Sequence, residues 1–185
     1  MNEKQSNVGF SRRDFVKAVA TTAVVASATN IIGSAQAAEG GQPVEFMSKG
    51  LRCKGLKFVP ADLKAGDKRP CIVLAHGFSA VKEMYFTDYA QAFANAGFVA
   101  IAFDYRFQGE SEGEPRGQIF PWEQIEDFRN AITFAQTQAD VNPDKIGVFG
   151  SSYSGGHVIC LGALDRRIKA VACQVPLVDG WTNFQ

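Results

Sequence analysis

KIGVFGSSYSGGHVIC, residues 145–160, is the stretch whose reading decides the fold. Ile146 to Phe149 is a short apolar run of strand length. Gly150-Ser151-Ser152-Tyr153-Ser154 then turns the chain, and Gly155-Gly156 open a helix of small residues. A strand that breaks sharply into a helix with a serine at the break is the layout of a nucleophile elbow. Strained backbone at the turn lifts the serine Oγ clear of the sheet, and small neighbours let helix and strand approach closely. Gly150 stands two before Ser152, and Ser154 stands two after, where the motif usually carries glycine. Serine is the next smallest polar residue, so Ser154 reads as a tolerated variant. The competing reading is an ordinary Gly/Ser-rich turn, and the surrounding sequence decides between them.

A literal G-x-S-x-G also occurs, at Gly109-Glu110-Ser111-Glu112-Gly113. Ser111 lies several residues past its strand, and Glu114-Pro115 follows with no helix starting directly. Glu110, Glu112 and Glu114 would oppose a developing negative charge. Ser111 is therefore expected in a solvated loop. Ser152 has a strand before it, a helix after it and no adjacent carboxylate. The helix beginning there offers free N–H groups and a favourable dipole to an anion. The Tyr153 N–H is placed to donate to a carbonyl oxygen that becomes an oxyanion in acyl transfer. A second donor must come from another loop at the same sheet edge. His76-Gly77-Phe78 ends a neighbouring strand, which makes the Phe78 N–H the candidate.

Outward from the elbow, strands and helices alternate. Val44 to Met47 and Leu51 to Val59 read as two strands joined at Ser48-Lys49-Gly50. Pro70 to Ala75 and Phe98 to Phe103 are continuous apolar runs that suit strands buried on both faces. Between them, Tyr85 to Ala96 carries Phe86, Tyr89, Ala90, Phe93 and Ala94 at helical spacing, and Gly97 stops it. A polar loop spans Phe107 to Gly117. Pro121 opens a second helix with Trp122, Ile125, Phe128, Ile132 and Ala135 as its inner stripe. Asn142-Pro143-Asp144 reads as a turn, and Ile168 to Val175 as a last strand. The pattern calls for an α/β fold: a mostly parallel sheet with helices on both faces and an antiparallel leading pair.

The chain has 185 residues, with 19 Lys plus Arg balancing 19 Asp plus Glu. Zero net charge argues against a nucleic-acid partner, which needs a basic excess. Fifteen Phe residues point to a large aromatic core. The first 37 residues differ in kind. Ser11-Arg12-Arg13-Asp14-Phe15-Val16-Lys17 is a twin-arginine pattern, Ala18 to Gly33 is uncharged and mildly apolar, and Ala35-Gln36-Ala37 offers a signal-peptidase site. Residues 1–37 are thus expected to be a Tat export signal, with residues 38–185 as the folded core, periplasmic or secreted. No stable membrane span is expected, since the segment is short of a clean apolar run. The four cysteines, Cys53, Cys71, Cys160 and Cys173, show no metal-binding spacing and read as buried free thiols.

HGF after an apolar strand, Asp104-Tyr105-Arg106 closing the next, and GSSYSGGH at the elbow resemble the alpha/beta-hydrolase superfamily. The closest likeness is to bacterial dienelactone hydrolases and X-prolyl dipeptidyl peptidases. It covers about Val44 to Gly180. The resemblance implies a serine hydrolase with Ser152 as nucleophile, Tyr153 and Phe78 as oxyanion donors, and His76 shaping the oxyanion loop. It implies a small-molecule ester or, second, a peptide or amide substrate, and no cofactor or metal. The family's acid and base His follow the nucleophile. Asp179, after the sixth strand, is the candidate acid, whereas Asp104 and Asp127 read as structural. His76 and His157 are the two histidines. His157, five residues past Ser152 on the elbow helix, is expected to point away from the Oγ, and His76 fits the base role no better. A serine without a base is a weak nucleophile. The expectation is therefore the front part of a longer enzyme, its sixth strand left as an apolar edge. The rival is a non-catalytic hydrolase-like binding protein.

Overall fold

The computed structural model describes residues 41–183, so the expected export signal over residues 1–37 lies outside the described residues. Strands β1 (Gln42–Ser48) and β2 (Leu51–Phe58) pair antiparallel, from Gln42 opposite Lys57 to Ser48 opposite Leu51. Lys49 and Gly50 both take positive φ, 47° and 81°, and this turn handedness matches the twist of the strands it joins. The alternation then runs β3 (Arg69–Ala75), α1 (Phe86–Asn95), β4 (Val99–Phe103), α2 (Pro121–Thr137), β5 (Val141–Ser151), α3 (Tyr153–Leu164), β6 (Ile168–Gln174) and a short α4 (Gly180–Asn183).

The sheet order is β1-β2-β4-β3-β5-β6. β2 meets β4 antiparallel, while β4, β3, β5 and β6 run parallel. This is the expected mostly parallel sheet with an antiparallel leading pair. Strand periodicity sorts the apolar runs onto two faces. Cys71, Val73 and Ala75 of β3 pack with Phe128 and Ile132 of α2 and Leu161 of α3. Ile72 and Leu74 pack on the other face with Phe86 and Phe93 of α1 and with Phe149. Gly97, at φ +93°, ends α1 in the left-handed conformation that glycine takes at little steric cost.

Three local expectations need correction. Asn142-Pro143-Asp144 lies inside β5 as an irregularity rather than before it. Arg69 pairs with Val141 and Cys71 with Ile146, so the intervening residues loop out, held by Asp144 N–H donating to Asn142 Oδ1 at 3.0 Å. Trp122 is 71% exposed. It stands on the first turn of α2, ahead of the buried face that begins at Gln124 and Ile125. Cys53 and Cys71 are buried and burial pushes both thiols far up, but Cys160 is half-buried and Cys173 exposed. Cys173 lies on β6, which among the described residues has a strand partner on one side alone.

Candidate active site

The parallel strands all point their C-terminal ends to one edge of the sheet, where the loops carrying His76 to Phe78, Asp104 to Arg106, Ser152 and Asp179 emerge. Ser152 is exposed there, at φ 56° and ψ −117° between β5 and α3. A non-glycine residue in that region is strained. Its backbone is pinned on both sides: Ser152 N–H donates to the Gln174 carbonyl at 2.9 Å, and the Ser152 carbonyl accepts from Leu177 N–H at 2.9 Å. Ser152 occupies the N-cap position, yet its Oγ makes no capping hydrogen bond. The hydroxyl that would ordinarily satisfy the helix end is thus left for another partner.

Small residues around the serine are a steric requirement. A Cβ on Gly150 would lie 2.3 Å from the Ser154 carbonyl oxygen, and one on Gly156 would lie 2.2 Å from that of Leu177. The segment following β6 crosses directly over the start of α3.

The loop after β3 closes on the elbow. A Cβ on Gly77 would come within 3.1 Å of the Ser151 carbonyl oxygen, 3.3 Å of Ser152 Cβ and 3.7 Å of the Tyr153 nitrogen. His76 is fully buried, and its Nδ1–H donates to the Gly77 carbonyl at 3.0 Å. Because the peptide is planar and trans, the Phe78 N–H points the opposite way from that carbonyl. Neither the Phe78 nor the Tyr153 amide has a hydrogen-bond acceptor among the described residues. Their rings meet edge to face at 5.6 Å, with Phe78 60% exposed. The loop that carries Phe78 and the start of α3 that carries Tyr153 therefore lie against one another beside Ser152.

Both histidines are buried, and neither hydrogen-bonds Ser152 among the described residues. Burial lowers the His76 pKa, with the Gly77 carbonyl and Asp104 pulling it partly back. Its Nε2 faces Asp104 Oδ1 at 3.5 Å, and its ring stands edge-on to Tyr105. His157 is buried between α3 and α2, where its Nε2–H donates to Gln124 Oε1 at 2.8 Å. Burial lowers its pKa to about 4. Asp179 is exposed after β6 and accepts the Trp181 N–H at 3.0 Å. Asp127 is buried in a structural network with Ser48 and Arg106, and burial pushes its pKa up to about 6 despite both.

Ser111 is buried, against the expectation of a solvated loop. Its Oγ donates to the Asp104 carbonyl at 2.7 Å and accepts the Lys54 N–H at 2.9 Å. The loop extends the pairing of β2 past the end of β4 and draws the serine inward, so its hydroxyl is fully engaged.

Sequence reasoning missed two features. Lys82 is almost wholly buried, with Nζ 2.8 Å from Asp104 Oδ2 and 2.6 Å from both Glu110 and Glu83. Burial alone would lower its pKa, but hydrogen bonds to the three carboxylates reverse this and hold it raised. These carboxylates lie close enough together to suggest a cation site, and the Lys82 ammonium already fills that role. The second feature is Ser154, read as merely small. It is fully buried and its hydroxyl is engaged on both sides. A serine at a glycine position carries a hydrogen-bonding group as well as small size, and that was the available signal.

Residues 50–185 match the family described as X-Pro dipeptidyl-peptidase (S15 family). The chain is 35% identical over 140 residues to quorum-quenching protein AidA of Acinetobacter baumannii, covering 76% of this chain and 45% of that protein. It is 37% identical over 138 residues to thiohydrolase aneE of Aspergillus aculeatus, covering 74% of this chain and 42% of that one. Among solved structures it resembles the alpha/beta hydrolase GrgF from Penicillium sp. sh18. There the TM-score is 0.70 at 28% identity, over 75% of this chain and 47% of that one. The chain thus spans less than half the length of these relatives.

Proposed function

The chain belongs to the X-Pro dipeptidyl-peptidase (S15) family, and on that premise we propose that it is the nucleophile-bearing part of an exported serine hydrolase acting on an ester. Ser152 Oγ attacks the acyl carbon and passes its proton to a general base. The carbonyl oxygen takes the electron pair and rests on the N–H groups of Tyr153 and Phe78. Collapse of this intermediate expels the alcohol, which leaves with the proton from the base. Water then hydrolyses the acyl-enzyme by the same route in reverse. His76 and His157 are both buried, and neither hydrogen-bonds Ser152 among the described residues. The base is therefore assigned to the part of the relatives' length that this chain does not span. Asp179 remains the candidate acid.

The observation that carries this reading is an exposed serine at φ 56°, its Oγ left out of the helix cap, beside two amides without acceptors. Similarity to a protein named a thiohydrolase makes a thioester the first alternative to an oxygen ester. An X-Pro amide comes next, from the family's description.

The test uses the full-length protein. A fluorophosphonate probe should modify Ser152, and Ser152→Ala should lower hydrolysis of p-nitrophenyl and thioester substrates by about 1,000-fold or more. Labelling at another residue, or a fully active Ser152→Ala, overturns the proposal. Absence of both labelling and hydrolysis favours the non-catalytic rival. Export rests on Arg12 and Arg13. Replacing both with Lys should leave the protein in the cytoplasmic fraction, and unchanged export would refute a Tat route.

A further inference from the structure

Ser154 occupies the position where the elbow motif ordinarily has glycine, and its side chain is fully buried. Its Oγ accepts the Ser151 N–H at 3.0 Å and donates to the Ala75 carbonyl at 2.7 Å. These two partners belong to different strands. Ser151 is the last residue of β5 and immediately precedes the nucleophile candidate. Ala75 is the last residue of β3 and immediately precedes His76-Gly77-Phe78. The β3–β5 ladder ends at Ala75 opposite Gly150. One step beyond, the hydroxyl stands between the two chains as a link.

We infer that Ser154 is a positioning residue, its hydroxyl setting the separation between the Tyr153 and Phe78 amides. The inference rests on the reading of those amides as oxyanion donors. Each donor is close along the chain to one end of the link: Tyr153 lies two residues after Ser151, and Phe78 three residues after Ala75. The short distances that a Cβ on Gly77 would have to Ser151 and Ser152 show how close the two loops lie. A glycine at position 154 would leave the Ser151 N–H and the Ala75 carbonyl without this bridge. The loops would then be held together by packing at Gly77 and by the edge-to-face pair of Phe78 and Tyr153. Oxyanion stabilisation is steep in donor placement, because the donors must meet the oxygen at hydrogen-bond distance as charge develops.

Ser154→Ala removes the hydroxyl and keeps Cβ, whereas Ser154→Gly restores the usual motif. In the full-length protein both should lower kcat by about 10- to 100-fold, the range for a misplaced rather than a missing donor. KM should stay within about twofold, since the link touches no ground-state contact. Affinity for a boronic acid transition-state analogue should fall in parallel with kcat/KM, while affinity for the carboxylate product should not. Crystal structures of wild type and Ser154→Ala should show a changed separation between the Phe78 and Tyr153 nitrogens. Unchanged kcat and analogue affinity, even with a lower melting temperature, overturn the inference and leave the hydroxyl a structural bond. An unchanged nitrogen separation overturns it as well, whether or not the protein is active. A wild-type protein that neither hydrolyses nor labels defeats the proposed function instead, and the structural comparison still decides the positioning claim.

Discussion

His157 shows how much a single side chain's surroundings decide. It lies one turn beyond the serine in sequence, yet it faces α2 and donates to Gln124. Burial lowers its pKa from 6.5 to about 4. The folded state then resists protonation where the unfolded chain accepts it, so His157's contribution is intact above pH 6.5 and is lost as pH falls toward 4. The full shift corresponds to about 3 kcal/mol. Asp127, raised to about 6, acts in the opposite sense. Its contribution is present below the ordinary 3.8 and lost as pH rises through 6, so the two groups partly cancel in the wild type. Urea unfolding of wild type and His157→Gln across pH 4 to 7 separates them: the wild type should lose stability relative to the variant as pH falls. A constant difference would show that His157 titrates normally. The orientation of His157 was expected from sequence, because five residues along a helix turn a side chain away from its start. The burial of Ser111 could not be read in that way, since it depends on β2 reaching past the end of β4 to accept a loop distant in sequence.

At the scale of elements, the loop after β3 is held to the end of β4 by charge. Lys82 and Asp104 are both almost fully buried, while Glu83 and Glu110 are largely exposed. Solvent weakens the two outer bridges, so the inner pair carries the effect. Asp104 Oδ1 also accepts the Lys82 N–H at 2.7 Å, and Oδ2 accepts the Glu110 N–H at 3.1 Å. Lys82→Met would leave a buried carboxylate without its cation, at a cost of about 3–5 kcal/mol. A shift in the urea midpoint of much less than that would mean that the backbone donors alone sustain Asp104. The variant should also slow hydrolysis, since Lys82 stands in the loop that carries Phe78. Nothing in the local pattern marked Lys82, because a lysine in a polar loop ordinarily reads as solvated. The strands and helices were legible for the opposite reason: β3, β4 and the core of β5 are continuous apolar runs, and their buried environment is repeated at nearly every residue. Irregularity inside β5 escaped notice because Asn142-Pro143-Asp144 has turn chemistry wherever it falls, and only the pairing of Arg69 with Val141 places it within a strand.

Over the whole molecule, the order β1-β2-β4-β3-β5-β6 puts the elbow strand next to the edge strand of the described sheet. β6 is paired with β5, and its opposite side meets no strand among the described residues. Its inward residues Ala170 and Ala172 pack against the α1 face, but Val171 is partly exposed. Val178 and Trp181, which follow the strand, are 73% and 77% exposed. Apolar surface next to an unpaired strand edge favours association, because both backbone groups and side chains gain partners. The 185-residue chain expressed by itself should therefore show a light-scattering mass above 20.0 kDa that rises with concentration. Val178→Lys with Trp181→Lys should bring the mass back toward the monomer without changing the far-ultraviolet circular dichroism, since both side chains are already in solvent. If instead the unsubstituted chain stays monomeric as concentration rises, the edge is protected by other means. Where the unsubstituted chain does associate, the double variant distinguishes the two sources of attraction: a mass that stays high points to backbone pairing along β6, and one that falls points to the apolar side chains beyond it.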